Sequence, residues 1–330
     1  MKIRDFLFTS AAVLFSAASI SAAAVTTSAH TWVSGSGSDA NACTFASPCA
    51  TFQGALAKTS VGGLITAMDA GDFGFVNIAQ SVTIDGSHLG SITYTGNDFS
   101  NAIRITPSVN VTLQNLTING MGNGHVGIYV LSGGNLIVHN CLIENFTYDG
   151  ILFTGAGTLV VENSRIESFS GTGSDIGIQI NASGMENVVV RNTIIDATPL
   201  SAGNNGFLIY GNTGPVTASL QNVTIMGAGG YAVYSANGVT EITGSVLTQS
   251  LYGVYAGNGA TISVASSMIT ANTTGVCSGP SSKIRLDNND IYDNSTAIDN
   301  CGGIVKTSGT NKTSGTIAIP ASDVSNSVTF

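Results

Sequence analysis

One six-residue pattern recurs along this chain and leaves little freedom in how it can fold. It appears as VTLQNLTI (111–118), IVHNCLI (137–143), VVENSRI (160–166), VVRNTII (189–195), ASLQNVTI (218–225), EITGSVL (241–247), SVASSMI (263–269) and IRLDNNDI (284–291). The central residues are Asn115, Asn140, Asn163, Asn192, Asn222, Gly244, Ser266 and Asn288, separated by steps of 25, 23, 29, 30, 22, 22 and 22. Repeats of that length built from short strands define a solenoid, in which each repeat is one coil stacked on the last. A second strand recurs in each coil, as in GIYV (127–130), GILF (150–153), GIQI (177–180), GFLI (206–209) and AVYS (232–235). Period two turns Ile128, Ile151, Ile178, Phe207 and Val233 inward and the residue after each outward. Stacked Asn side chains at the bend tolerate left-handed backbone and can bond along a ladder.

Only 9% of the 330 residues are charged; Asn, Ser, Thr and 41 Gly supply the polarity instead. That composition suits stacked strands and tight turns. The one long apolar run is N-terminal. Lys2 and Arg4, then Phe6 to Ile20, then Ala22–Ala24 read as a secretory signal peptide over 1–24. Export to the periplasm or beyond follows, with no membrane span after signal removal. Without Lys2, Arg4 and Asp5 the chain keeps 8 basic and 18 acidic residues, a net of −10. Such a chain is a poor nucleic-acid binder, and the same acidity counts against polyanionic substrates. Residues 25–330 read as one domain. Within it, 47–59 (SPCATFQGALAKT) reads as a helix capping the first coil. Ser47 is the cap, Phe52, Ala55, Leu56 and Thr59 form the apolar stripe, and Gly62-Gly63 is the stop. Cys43 and Cys49 flank a Pro-containing loop and are expected to pair in an exported chain. Cys277 and Cys301 lie one coil plus two residues apart, so stacking could join them. Cys141 is left as a small buried hydrophobe.

The helix-then-strand start and the Asn-marked coils resemble right-handed parallel β-helix proteins of the pectin-lyase-like superfamily, over residues about 31 to 325. The stretch WVSGSGSDANACTFASPCATFQGALAKT is also similar to exported bacterial β-helix proteins of unassigned activity. The resemblance implies an all-β, single right-handed parallel β-helix of about ten coils. It carries no catalytic set across. Tyr148-Asp149-Gly150-Ile151 echoes one polygalacturonase motif, but no Asp-Asp pair follows, Gly124-His125-Val126 precedes it, and Lys283-Ile284-Arg285 reverses the last.

Register offers a further search. The outward position after each bend reads Asn119, Glu144, Glu167, Asp196, with Arg165 on the same strand as Glu167 and Arg191 in the row before the bend. Stacked carboxylates must retain a proton, bind a cation such as Ca2+, or pair with Arg. A retained proton suits glycoside hydrolysis, and Ca2+ with Arg suits a lyase. The plainer reading is an ion-pair ladder that fixes register. Tyr129, Tyr234 and Tyr255 share the outward position of the second strand, and Tyr231 and Tyr252 extend them into a strip that can meet sugar rings or pack against itself. His125, Asp149 and Asp175 read as solvated turn residues. Two functions therefore stand. One is a secreted β-helix protein of unassigned activity that binds a polysaccharide, a cell-surface glycan or another extracellular surface. The other is a polysaccharide hydrolase or lyase acting at Glu144, Glu167 and Asp196 with Arg165 or Arg191.

Overall fold

The computed structural model describes residues 27–94, 101–106, 108–167, 175–198, 203–211 and 214–318. The apolar N-terminal run, most of the long connection at 169–176 and residues 199–202 of the one at 197–206 lie outside them. The strands of successive coils pair in parallel, with register shifts at Ser28/His30, Gly155/Gly157 and Thr296/Ile298, giving a β-solenoid of about ten turns. Three strand columns build each turn. A leading column contains Val126–Val130, Asn205–Gly211, Tyr231–Ala236 and Tyr252–Gly257. A middle column contains Val109–Gln114, Gly134–His139 and Val216–Gln221. A trailing column of 11 short strands follows the bend, among them Thr117–Asn119, Leu142–Glu144, Arg165–Glu167 and Ile194–Asp196. In two central coils the leading and middle strands run on without a break, as Asp149–Glu162 and Ile176–Arg191.

The bend is where sequence and backbone meet most directly. Asn115, Asn140, Asn163, Asn192, Asn222 and Asn288 all have φ between 49° and 55°, and Gly244 and Ser266 repeat the geometry. Asn is the side-chain-bearing residue that accepts this region most readily. Its amides form an outer ladder: Asn140 donates to Asn115 at 2.8 Å, Asn192 to Asn163 at 3.2 Å and Asn222 to Asn192 at 3.3 Å. One residue further, an inner ladder runs through the core. Ser267 accepts from the Ser245 N–H, Asn289 from Ser267 and Asn311 from Asn289, at 2.9–3.2 Å. These buried side chains satisfy backbone donors that the bend leaves unpaired. Cys141 occupies the same inner row, is 3% exposed, and burial pushes its thiol up to about 12.

The core is a continuous stack of Ile, Val, Leu and Phe supplied by alternate positions of all three columns. At its N-terminal end the helix is shorter than the stripe predicts, spanning Phe52–Leu56 with Thr51 rather than Ser47 as its cap. Thr59 already belongs to the strand Thr59–Ala67, and its hydroxyl donates back to Ala55 O at 2.7 Å. Strand pairing with Ser28–Val33 and Val82–Asp85 outcompetes the last helical turn, and Gly62-Gly63 lie within that strand. Two disulfides are formed, Cys43–Cys49 and Cys277–Cys301. No helix among the described residues is long and apolar enough to cross a membrane.

Candidate functional site

The trailing face carries the acidic row in the order its register predicts. Asn119 pairs with Glu144, Glu144 with Glu167, and Glu167 with Asp196 on consecutive coils. Each carboxylate has a partner. Asn119 Nδ2 donates to Glu144 at 2.7 Å, Arg165 contacts Glu167, and its second arm reaches Asp196 at 3.3 Å. Around the bend, Arg191 holds Glu162 at 2.6 Å. Glu167 and Asp196 keep about a fifth of their side-chain surface, and Arg165 keeps 41%. Among the described residues no three His, Cys, Asp or Glu side chains are grouped to hold a metal ion. The geometry is that of a half-exposed ion-pair ladder.

The leading face is different. Its outward row reads Arg104, Tyr129, Leu152, Gln179, Leu208, Tyr234, Tyr255 and Cys277, one residue per coil. In the central coils this row is covered, since Leu208 is fully buried and Gln179 nearly so. Asp149 and Asp175, expected as solvated turn residues, are both completely buried there. With its amide in the bonding orientation, Gln179 donates to both oxygens of Asp149, at 3.1 and 3.2 Å. Burial first, and then the charge of Asp175, hold the Asp149 carboxyl well above the usual carboxylate range. Tyr148 stacks on His125 beside it, with ring centroids 4.6 Å apart. The sequence signal for this burial was the apolar pair Leu152 and Leu208 at outward positions. Outward Leu on the two coils that flank Gln179 implies cover.

Two coils further on the face opens. Tyr210, Tyr231, Tyr234, Tyr252 and Tyr255 form one contiguous patch. Tyr231 stacks on Tyr252 at 5.2 Å, Tyr234 stacks on Tyr255 at 5.6 Å, and Tyr210 leans on Tyr234 at 5.8 Å. Each stacked pair spans two coils, so much of each ring face meets a neighbouring ring. All five rings stay at least partly exposed, Tyr210 the most. Two glycines make room for the rings: a Cβ at Gly257 would lie 3.1 Å from the Tyr234 hydroxyl, and one at Gly279 would lie 3.0 Å from that of Tyr255. Tyr129 stands apart, with Leu152, Gln179 and Leu208 between it and the patch.

Along the turn that leads into Tyr231 and Tyr252 runs an open groove of about 740 Å³, crossing four coils. Gln249, Leu251, Thr273, Asp293 and Ser295 are among its walls. Its repeating corner uses left-handed backbone at Gln249, Ala271 and Asp293, with φ of 53°, 55° and 57°. The groove was not read from the sequence, because none of its residues is a recognisable chemical motif.

The parallel coils, the Asn-marked bends and the laddered core define a β-solenoid protein. The family described as "Right handed beta helix region" matches residues 75–219 and 205–326, and the chain belongs to it. No curated protein matches the chain in sequence. Among solved structures, pectate lyase Pel9A superposes with a TM-score of 0.62 at 14% identity, covering 90% of this chain and 78% of that one. The GH136 lacto-N-biosidase from Eubacterium ramulus does so with a TM-score of 0.51 at 12% identity, covering 88% and 68%. At those identities the likeness is one of fold.

Proposed function

We propose that this is an exported β-helix protein that binds a carbohydrate chain along its leading face, on the tyrosine patch and the groove beside it. The observation that carries this reading is the patch itself: five rings in mutual contact, outward on a rigid sheet, flanked by an open groove. Aromatic edges with hydroxyls offer a sugar both apolar contact and hydrogen bonds at little entropic cost. Coils repeat every ~4.8 Å, comparable to the length of one sugar unit, so an extended glycan lying along the axis meets the same kind of contact on each coil. The two disulfides fit an oxidising compartment, and both similar folds come from proteins named for acting on carbohydrate.

Retention of the mature protein on polysaccharide gels tests the reading. Tyr231→Ala with Tyr252→Ala should weaken binding about tenfold, consistent with two aromatic contacts, while the melting temperature stays near that of the parent. Unchanged retention would remove the patch as the binding site.

A second reading, cleavage of the bound chain, is favoured by the buried pair Asp149 and Asp175 on the same face. One carboxyl holding its proton beside another carboxyl is the acid and base that glycoside hydrolysis requires. The stacked Glu144, Glu167 and Asp196 with Arg165 or Arg191 are the rival location. Mass spectrometry of incubated polysaccharides separates them: products lost in Asp149→Asn but kept in Glu167→Gln place the chemistry on the leading face, and the converse places it on the trailing face.

A further inference from the structure

We infer that the glycan recognised by this face is uncharged, an inference that rests on the carbohydrate-binding reading and specifies its ligand class. The distribution of charge carries it. From Ala197 to Ser282 the chain contains no Lys, Arg or His and a single acidic residue, Glu241. That stretch supplies all five tyrosines of the patch and most of the groove. The ionisable groups that border the site are carboxyls, apart from His125 on Tyr148, which burial holds below the usual imidazole range. Asp293 stands exposed in the groove wall, Asp149 and Asp175 lie on the N-terminal side, and Asp299 follows Cys277 in the tyrosine row.

The cation in that row is Arg104, five coils before Tyr234. At ~4.8 Å per coil this is roughly 24 Å, about three Debye lengths at physiological salt. Lys283 and Arg285 belong to the middle column, outside the tyrosine row. A uronate or sulfate placed on the patch would lose water and gain no cation, which is unfavourable. Sugar hydroxyls face no such penalty. Gln249, Thr273, Ser295 and the tyrosine hydroxyls can all bond them. Burial, followed by the neighbouring phenols, also holds Tyr231 and Tyr234 above the ordinary phenol range, so these hydroxyls stay neutral donors. This separates the chain from the pectate lyase whose fold it shares, because pectate is a polyuronate.

The test is affinity electrophoresis of the mature protein at low and at high salt. The probes are soluble β-glucan, galactomannan, fully methyl-esterified pectin and polygalacturonate. The expected result is retardation by one or more of the uncharged polymers, insensitive to salt and weakened about tenfold in the Tyr231→Ala, Tyr252→Ala variant, with mobility unchanged by polygalacturonate. Salt-sensitive retardation by polygalacturonate that this variant loses would overturn the inference and leave the carbohydrate-binding reading standing. No retardation by any polymer would overturn both.

Discussion

Glu186 lies on the inward side of the alternation that buries Val188 and Val190, and it is 1% exposed with neither carboxylate oxygen hydrogen-bonded. Its neighbours in the stack are Gly157 and Val216, neither of which offers a side-chain donor. Burial raises its carboxyl from 4.5 to about 8. The native state therefore holds a proton that the unfolded chain releases. This contribution to stability is full below the unfolded value near 4.5 and is lost as pH rises through about 8. The melting temperature should fall across that window, and Glu186→Gln should flatten the fall. A variant with the same slope as the parent would assign the pH dependence to Asp149, whose raised carboxyl acts in the same direction. From the sequence Glu186 is one polar residue in a run of Val. Its depth follows from period two, but its lack of a partner depends on which residues two other coils bring beside it.

At the scale of elements, the trailing strands show what in-register stacking alone can organise. Arg165 sits between two carboxylates one coil apart and contacts both. Its own exposure means solvent screens the pairs, so their worth is modest. Arg165→Gln should cost about 1 kcal/mol, from the lost pairs and the Glu167–Asp196 repulsion they offset. The loss should shrink in high salt, as denaturant melts at two ionic strengths would show. A salt-independent loss would point to packing of the Arg165 stem instead. This row was legible because a parallel solenoid stacks equal repeat positions. Spacing of 22 to 30 residues between bends gave the order Asn119, Glu144, Glu167, Asp196 directly. The short helix was less legible. Its apolar stripe is real, since Phe52, Ala55 and Leu56 are buried, but its end was set by strand pairing at Thr59 rather than by Gly62-Gly63.

Across the whole molecule, each coil touches its two neighbours, so stability is close to a sum of local terms. The Cys277–Cys301 bond closes a separation of 24 residues between adjacent leading coils near the C-terminal end. In the chain-entropy account such a loop contributes about 3 kcal/mol. Cys277→Ser with Cys301→Ser should lose roughly that amount. Hydrogen exchange should quicken in residues beyond about 270 and stay unchanged around Phe52. A uniform rise along the chain would mean that the solenoid melts as one unit. The sequence by itself determined the solenoid, the left-handed Asn bends, the identity of the core and the order of the stacked charges. All four depend on periodicity, which a parallel stack converts into contact without further information. Only the tertiary structure decided that Asp149 and Asp175 are buried, that Glu186 has no partner, that five tyrosines from three coils form one patch, and that an open groove runs beside them. Those features depend on what covers a position and on the space left between coils, and neither is encoded at the position itself.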